Sequence, residues 1–415
     1  MEEVGVKQSS AMVFLCLPLA FLLLQKLPRG MPRFLFVFLP SLPLLAWLPF
    51  TISIHSLRVF VAFWFLWLCP TKLLLLCWDV SIDHTTPPFT DSFSYFIFYI
   101  IAPLRIKGPT KSSSAANQNL LPAKPSSKLA PIPLFLLHLL GFFLVLNCCM
   151  HFRNKISIWL HYALLVVEIY FALQVSIGGI GLIARYIVGV EIYPAHNAPF
   201  MASSLSDFWG KRWNPVVTTL LRASVYDPIL FILCRLLSKK KDSNGVGASR
   251  KIKNESVKFM EGKQGGVVVK RASSSHKISS NAIIDLVANG GEIRDRPPFV
   301  AKAIAVLTSF AVSGVMHEAI ICCMTQSHPT WEATAFFIVQ GVAIILQFTL
   351  RRYLPTSFKF PRFLSIGFTL GFIHITLCWL FFPSIHRSGA ELLINSEVYE
   401  AQVSLFRLIP GVFPK

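Results

Sequence analysis

Charge is scarce in this sequence. Only 14% of its 415 residues are Asp, Glu, Lys or Arg, while 54% are hydrophobic, and the mean hydropathy is +0.58. A soluble domain of this length has no use for so apolar a composition, so the chain reads as a membrane protein. Acidic residues are the scarcer sign, 20 against 39 Lys and Arg. Phosphate-binding and metalloprotease signatures are missing: there is no G-x-G-x-x-G, no P-loop and no H-E-x-x-H, since Ile321 stands four residues after His317, and no internal repeat. There is also no C-x-x-C, which excludes a zinc cluster of that kind and a redox pair. Cys16, Cys69, Cys77, Cys148, Cys149, Cys234, Cys322, Cys323 and Cys378 fall in or beside apolar runs and read as small packing residues. No ligand set has metal spacing, so neither metal nor cofactor is expected.

What is present is a series of apolar runs of about 20 residues, the length that crosses a bilayer as a helix. Eight spans are expected, at 10–25, 34–54, 57–78, 131–150, 157–183, 301–322, 333–350 and 363–382. The first, preceded by Glu2 and Glu3 and without a small-residue cleavage site, reads as a retained span and not a signal peptide. Pro40, Pro43 and Pro49 predict a kink in the second. The fold class is therefore an all-α polytopic membrane protein of about eight to ten transmembrane or re-entrant helices around a chamber.

The net charge of +19 does not point to nucleic acid, because the basic residues alternate between the two sides of these spans. Segments 26–33, 79–130, 184–300 and 351–362 hold 30 of the 39 Lys and Arg, which places them in the cytoplasm by the positive-inside rule. Residues 105–130 read as a flexible loop and 92–104 as an interfacial or re-entrant element too short to span. The stretch 238–298, with thirteen Lys and Arg against six Asp and Glu, many Ser and Gly and almost no aromatics, is expected to be disordered. It divides one membrane domain into an N-terminal part, 1–237, and a C-terminal part, 299–415. Within the first part, 194–237 is too polar for an ordinary span and too apolar for a free loop. Polar side chains on irregular backbone at membrane depth are tolerated where they line a cavity, so this segment is expected to re-enter the membrane.

An ionisable group inside a span costs a few kcal/mol (~3 by insertion scales), which makes it a candidate for function. His317 is the sharpest such group. On a helix it shares a small, polar stripe with Ser309 and Ser313, with Gly314 leaving space beside the imidazole; Glu318 points about 100° away, braced against a basic residue. Neutral imidazole can take a proton from a hydroxyl near neutral pH, and a water-excluding chamber protects an activated acyl group. Acyl transfer to a lipid alcohol fits. The competing reading is a histidine that bonds across to a neighbouring helix, as His138, His161 and His374 also can, with Glu168 and Gln174 as structural glue or cavity lining.

SFAVSGVMHE (309–318), NAPFMASSLSDFWGKRWN (197–214) and LLRASVYDP (220–228) together resemble the plant wax synthase branch of the membrane-bound O-acyltransferases. The pairing is fairly specific: an FW-x-x-RWN segment followed, one loop later, by SG-x-x-HE in a span. The resemblance implies that His317 is the membrane-embedded catalytic histidine and Asn214 the motif asparagine that orients reactants or polarises a carbonyl. It implies acyl-CoA and a long-chain alcohol or sterol as substrates, wax or steryl esters as products, and the endoplasmic reticulum membrane as location. Asn214 before Pro215 is equally a good helix start. Lys211 and Arg212 either meet CoA phosphates or anchor the cytoplasmic face; Trp209, Trp213, Phe208 and Tyr226 either line an acyl tunnel or form an interfacial belt. Ser313 joins the substrate-binding set through the stripe. Asp207 and Asp227 read as partners of nearby Arg or as helix caps.

Two features depart from the family pattern: 238–298 is longer than a short connection, and His317 lies some 16 residues into its span, about 24 Å from the cytoplasmic entry. Asn214 can reach it if 199–237 re-enters, or if the sixth span starts late or tilts; both are expected. The alternatives are acylation of diacylglycerol or a specialised hydroxylated metabolite on the same fold, and a proton-coupled transporter with His317, Glu318, Glu168 and His374 as a relay.

Overall fold

The computed structural model describes residues 16–80, 92–101, 131–188, 192–237, 297–353 and 360–407. These are helical and contain no strand. In chain order they form α1 (Cys16–Lys26), α2 (Met31–Thr51), α3 (His55–Cys77), α4 (Phe93–Ile101), α5 (Pro131–Phe152), α6 (Ile158–Ile187), the short α7 (205–212), α8 (Pro215–Leu237), α9 (Phe299–Thr325), α10 (Glu332–Tyr353), α11 (Arg362–Arg387) and α12 (Ala390–Arg407). Eight of them, α2, α3, α5, α6, α8, α9, α10 and α11, are long and apolar enough to cross a membrane. The chain is a multi-pass, all-α membrane protein. The loops at 105–130 and, apart from Pro297 and Pro298, 238–298 lie outside the described residues.

The membership of the eight differs from expectation in one helix. Only 16–26 of the first run is described, as the short α1, and α8 takes its place among the long helices. Arg222 and Asp227 made α8 look like half a helix; they pair with each other at 3.6 Å on an exposed edge and leave its apolar face unbroken.

Proline explains a recurring local feature. The stretches 34–38, 63–68, 222–226 and 377–381 are wound as π-helix, each ending two residues before Pro40, Pro70, Pro228 or Pro383. A proline ring collides with the carbonyl four residues back, and widening the preceding turn relieves the collision without ending the helix. The expected kink in α2 takes this form, followed by a 3₁₀ turn at Leu48–Thr51.

Two helical hairpins frame the interior, α5–α6 through 153–157 and α9–α10 through 326–331. Gly314 sets the second: a methyl group there would stand 2.8 Å from Thr334 Cα and 3.1 Å from its carbonyl oxygen. The glycine thus brings α10 backbone against α9. The space expected beside the histidine at this position is filled by protein. Gly314→Ala should push the two helices apart and cost about 1–3 kcal/mol of stability, read as a lowered thermal midpoint of the detergent-solubilised protein.

Helix α12 is docked by buried polar contacts. Asn395 donates to Glu168 of α6 at 3.2 Å, Asn147 of α5 donates to Gln402 at 3.1 Å, and Glu391 bridges His161 and His386. Glu397 accepts from the backbone N–H groups of His55 and Ser56 at the start of α3. Burial opposes its ionisation, yet those two donors and the His55 ring outweigh it and hold the carboxyl down at about 2. Glu168 is thus interhelical glue. On the outer side, Leu136, Leu137, Leu140 and Leu144 of α5 are exposed, as residues facing lipid are.

Candidate active site

His317 sits in the second half of α9, and its orientation follows from its own helix. Its Nδ1 lies 2.8 Å from the backbone carbonyl of Ser313, one turn back. A carbonyl only accepts, so Nδ1 carries the proton and Nε2 is the bare, basic nitrogen. Three aromatic rings from three other helices enclose the imidazole: Phe337 of α10 stacks on it at 4.2 Å and 28°, Trp67 of α3 meets it edge-on at 4.9 Å, and Phe381 of α11 at 5.9 Å. His317 lies deep among protein atoms, yet part of its own surface is accessible, as expected of a side chain facing an internal space. No charged side chain pairs with it among the described residues.

Glu318 has a different partner from the cation expected of it. Its carboxylate, 3% exposed, accepts from Trp331 N at 2.7 Å, Thr334 N at 3.4 Å and Thr330 Oγ1 at 3.3 Å. The unpaired N–H groups opening α10, with the positive end of its dipole, serve in place of a Lys or Arg. Of the polar stripe, Ser309 is tied to Ala305 O and Ser313 is buried, acting on His317 through its main chain.

The motif segment is built around Arg212. Its Nε donates to Asp207 at 2.6 Å, and its NH1 donates to the carbonyls of Asn197 and Ala198. Ser204 caps α7 by accepting from Asp207 N. Trp213 stacks on Phe208 at 5.5 Å, and Trp209 donates its indole N–H to Gln340 of α10, which in turn donates to Thr376 of α11. Trp209 also packs on Phe337 at 5.6 Å, so Phe337 touches both it and His317. Lys211 and Gly210 are exposed, whereas Arg212 spends most of its donors holding the loop.

Asn214 is buried and left-handed, φ 42°, a conformation asparagine tolerates better than most residues. Its Oδ1 accepts from Val217 N and caps α8, with Pro215 in the first turn. Where α8 begins decides whether it can serve the same site as His317. Val216 and Leu220 pack with Trp64 and Leu68, neighbours of the Trp67 that touches His317, while Leu230 packs on Ala301 and Ala305. The start of α8 is therefore level with the histidine. Helix α9 does not start late, as its first residue is Phe299; the motif segment meets Phe337, the ring stacked on His317, through Trp209.

The polar groups of a would-be ion relay are dispersed. Glu318 caps α10, Glu168 bonds Asn395, and His374 faces Trp159 and Cys378, so with His317 they make no continuous path among the described residues. One group among the described residues has metal-like spacing, His161, His386 and Glu391, with ligand atoms within 4.8 Å. Its members already bond each other, at 2.7 and 3.1 Å, with Arg153 3.8 Å from the carboxylate. Burial works against Glu391 ionising, but the two histidine bonds hold its carboxyl below the usual range. It reads as a latch for α12. The sequence reading missed this cluster and also His196, which lies in the motif segment against Trp213.

Fold and site together define a multi-pass helical membrane protein with a histidine held by one nitrogen and enclosed by aromatic rings. No family model matches the chain. It is similar to the long-chain-alcohol O-fatty-acyltransferase of Simmondsia chinensis, 25% identical over 367 residues, 88% of this chain and 85% of that one. It is likewise similar to acyl-CoA–sterol O-acyltransferase 1 of Arabidopsis thaliana, 25% identical over 383 residues, 91% and 89% of the two chains. Similarity of this extent is consistent with the resemblance that the two motifs carry to the wax synthase branch of the membrane-bound O-acyltransferases.

Proposed function

We propose that this protein is an acyl-CoA-dependent O-acyltransferase that esterifies a long-chain alcohol or a sterol, giving wax or steryl esters, in the endoplasmic reticulum membrane. The observation that carries the reading is the Nδ1–H to Ser313 carbonyl bond, which leaves His317 Nε2 as a base inside aromatic walls. Nε2 takes the proton of the acceptor hydroxyl as its oxygen attacks the thioester carbonyl. The C–S bond then breaks, and the imidazolium returns the proton to the departing thiolate, leaving free CoA and the ester. Asn214, whose cap uses only Oδ1, keeps its Nδ2 protons for the carbonyl oxygen of the tetrahedral intermediate.

Lys211, exposed at the rim of the motif segment, meets the CoA phosphates. Arg212 serves mainly by fixing the loop that presents it. Trp209 and Trp213 wall the acyl path, and Ser313 sets the histidine tautomer. Apolar walls keep water from the thioester. Acyl transfer from a thioester calls for no metal or further cofactor.

Expression in a yeast strain lacking neutral-lipid synthesis, with fatty alcohols, sterols and diacylglycerol supplied in turn, tests this reading by thin-layer chromatography of the esters. Wax or steryl ester is the expected product. Triacylglycerol alone would reassign the acceptor, and no ester with any of them would overturn the activity.

A further inference from the structure

Gln340 of α10 is fully buried, and both ends of its amide are used. Its Oε1 accepts the indole N–H of Trp209 at 3.1 Å, and its Nε2 donates to Thr376 Oγ1 of α11 at 2.8 Å. The amide cannot turn over, because an indole N–H only donates and the oxygen must face it. Thr376 passes its own proton to the carbonyl of Phe372 or Ile373, at 2.9 and 3.0 Å, and is left to accept from the amide. The result is a one-way chain of donors that runs from the motif segment through α10 into the main chain of α11. A primary amide among hydrocarbon is costly unless both ends are bonded, and Gln340 meets that condition only while Trp209 is in place.

Joining α10 to α11 needs only the Thr376 bond. The other bond goes to the motif segment, and among the described residues it is the one hydrogen bond that ties 195–214 to a helix outside it other than α8. Elsewhere the segment bonds itself: Arg212 holds Asp207 and the carbonyls of Asn197 and Ala198, and Trp213 N donates to Phe208 O. It is therefore placed as a unit. Rings of α6 and α9 also touch it, through Phe200 and Trp209, but apolar contact is non-directional, whereas a hydrogen bond fixes distance and direction. Thr218 shares its hydroxyl proton between the carbonyls of Trp209, at 2.9 Å, and Asn214, at 3.3 Å, so the residue that Gln340 holds and the residue that opens α8 are tied to one side chain. Three residues before Gln340, Phe337 stacks on His317 and packs on Trp209. Gln340 thus fixes the motif segment to the helix that already supplies one wall of the histidine. Resting on the acyl-transfer reading given above, we propose that Gln340 is a positioning residue of the reaction: through Trp209 it holds Asn214 in register with His317.

The test compares wild type with Gln340→Met, which keeps length and volume without the hydrogen bonds, in steady-state ester formation well below the thermal midpoint of either protein. The expected result is a fall of about 10- to 100-fold in kcat per folded enzyme, since a misplacement of about 1 Å can cost 10²-fold, with KM unchanged for acyl-CoA and for the alcohol. A double-mutant cycle with Asn214→Asp, which lacks the donor protons, separates positioning from general support of the fold. In the Asn214→Asp background Gln340→Met should lower kcat no further, while its effect on the thermal midpoint should be the same in both backgrounds. An unchanged kcat, a full additional loss of kcat in the Asn214→Asp background, or a change confined to either KM would overturn the proposal. Thr376→Val, which frees only the far end of the amide, should give a smaller loss of the same pattern and carries the test where Gln340→Met does not reach the membrane. Amide hydrogen exchange reads the placement without turnover: exchange across 197–214 should rise in Gln340→Met while that of α9 stays as in wild type. Should wild type form no ester, the acyl-transfer reading fails; a rise in exchange across 197–214 would then still support Gln340 as the anchor of the segment, and unchanged exchange would overturn that as well.

Discussion

Replacing His317 with alanine is expected to lower ester formation by about 10²–10⁴-fold, the range a general base contributes, without loss of the protein from the membrane. The expectation follows from the contacts of the ring. Nδ1 is committed to Ser313 O, so Nε2 is the basic atom, and among the described residues no carboxylate or second histidine touches it to take over the proton. Phe337 and Phe381 also pack on each other and on Phe336, and Trp67 packs on Phe63, so the aromatic interior persists when the imidazole is removed. His317→Gln is the sharper variant: it has similar length and polarity but cannot accept a proton at neutral pH. Ester formation by either variant within a few-fold of wild type, at equal membrane abundance, would remove His317 from the reaction.

The parts of this fold legible in the sequence are those that a single run of residues specifies. Apolar runs gave the long helices, and Pro40, Pro70, Pro228 and Pro383 mark where turns widen to π-helix, because that conflict is local. Helix α8 was harder to see, since Arg222 and Asp227 lower its apparent hydropathy and only the folded chain shows them paired on its outer edge. Glu318 was expected to need a cation; the opening N–H groups of α10 satisfy it, and a partner made of backbone leaves no mark in the residue types. Gly314 was legible as small but not as the point where α10 touches α9, because glycine spacing alone does not say whether it leaves a gap or admits a neighbour.

The candidate site divides in the same way. His317 stood out because an ionisable group among hydrocarbon is rare, whereas Phe337 and Phe381, which enclose it, are indistinguishable in sequence from other aromatics in apolar runs. His161, His386 and Glu391 meet across as many as 230 positions, a separation over which no spacing rule operates. His196 did carry a signal, a histidine between Pro194 and Pro199 in the segment already recognised as cavity-lining.

Asn214 offers the second large effect, because its two chemical ends do different work. Oδ1 accepts from Val217 N and caps α8; Nδ2 carries the protons assigned to the carbonyl oxygen of the intermediate. Asn214→Asp keeps an acceptor for the cap, places a negative charge favourably at a helix N-terminus, and removes both donor protons. It should fold with an unchanged thermal midpoint and lose about 10²–10³-fold in kcat, the cost of an oxyanion donor. Asn214→Ala loses the cap as well, at about 1 kcal/mol, and adds strain at φ 42°, so its thermal midpoint should fall in addition. Asn214→Gly relieves the strain and should recover the stability but not the rate. The pattern separates the two roles: rate lost in all three variants with stability lost in alanine alone assigns Asn214 to the chemistry, whereas an active aspartate variant beside an inactive alanine one would leave it a helix cap, with the carbonyl oxygen stabilised by another donor.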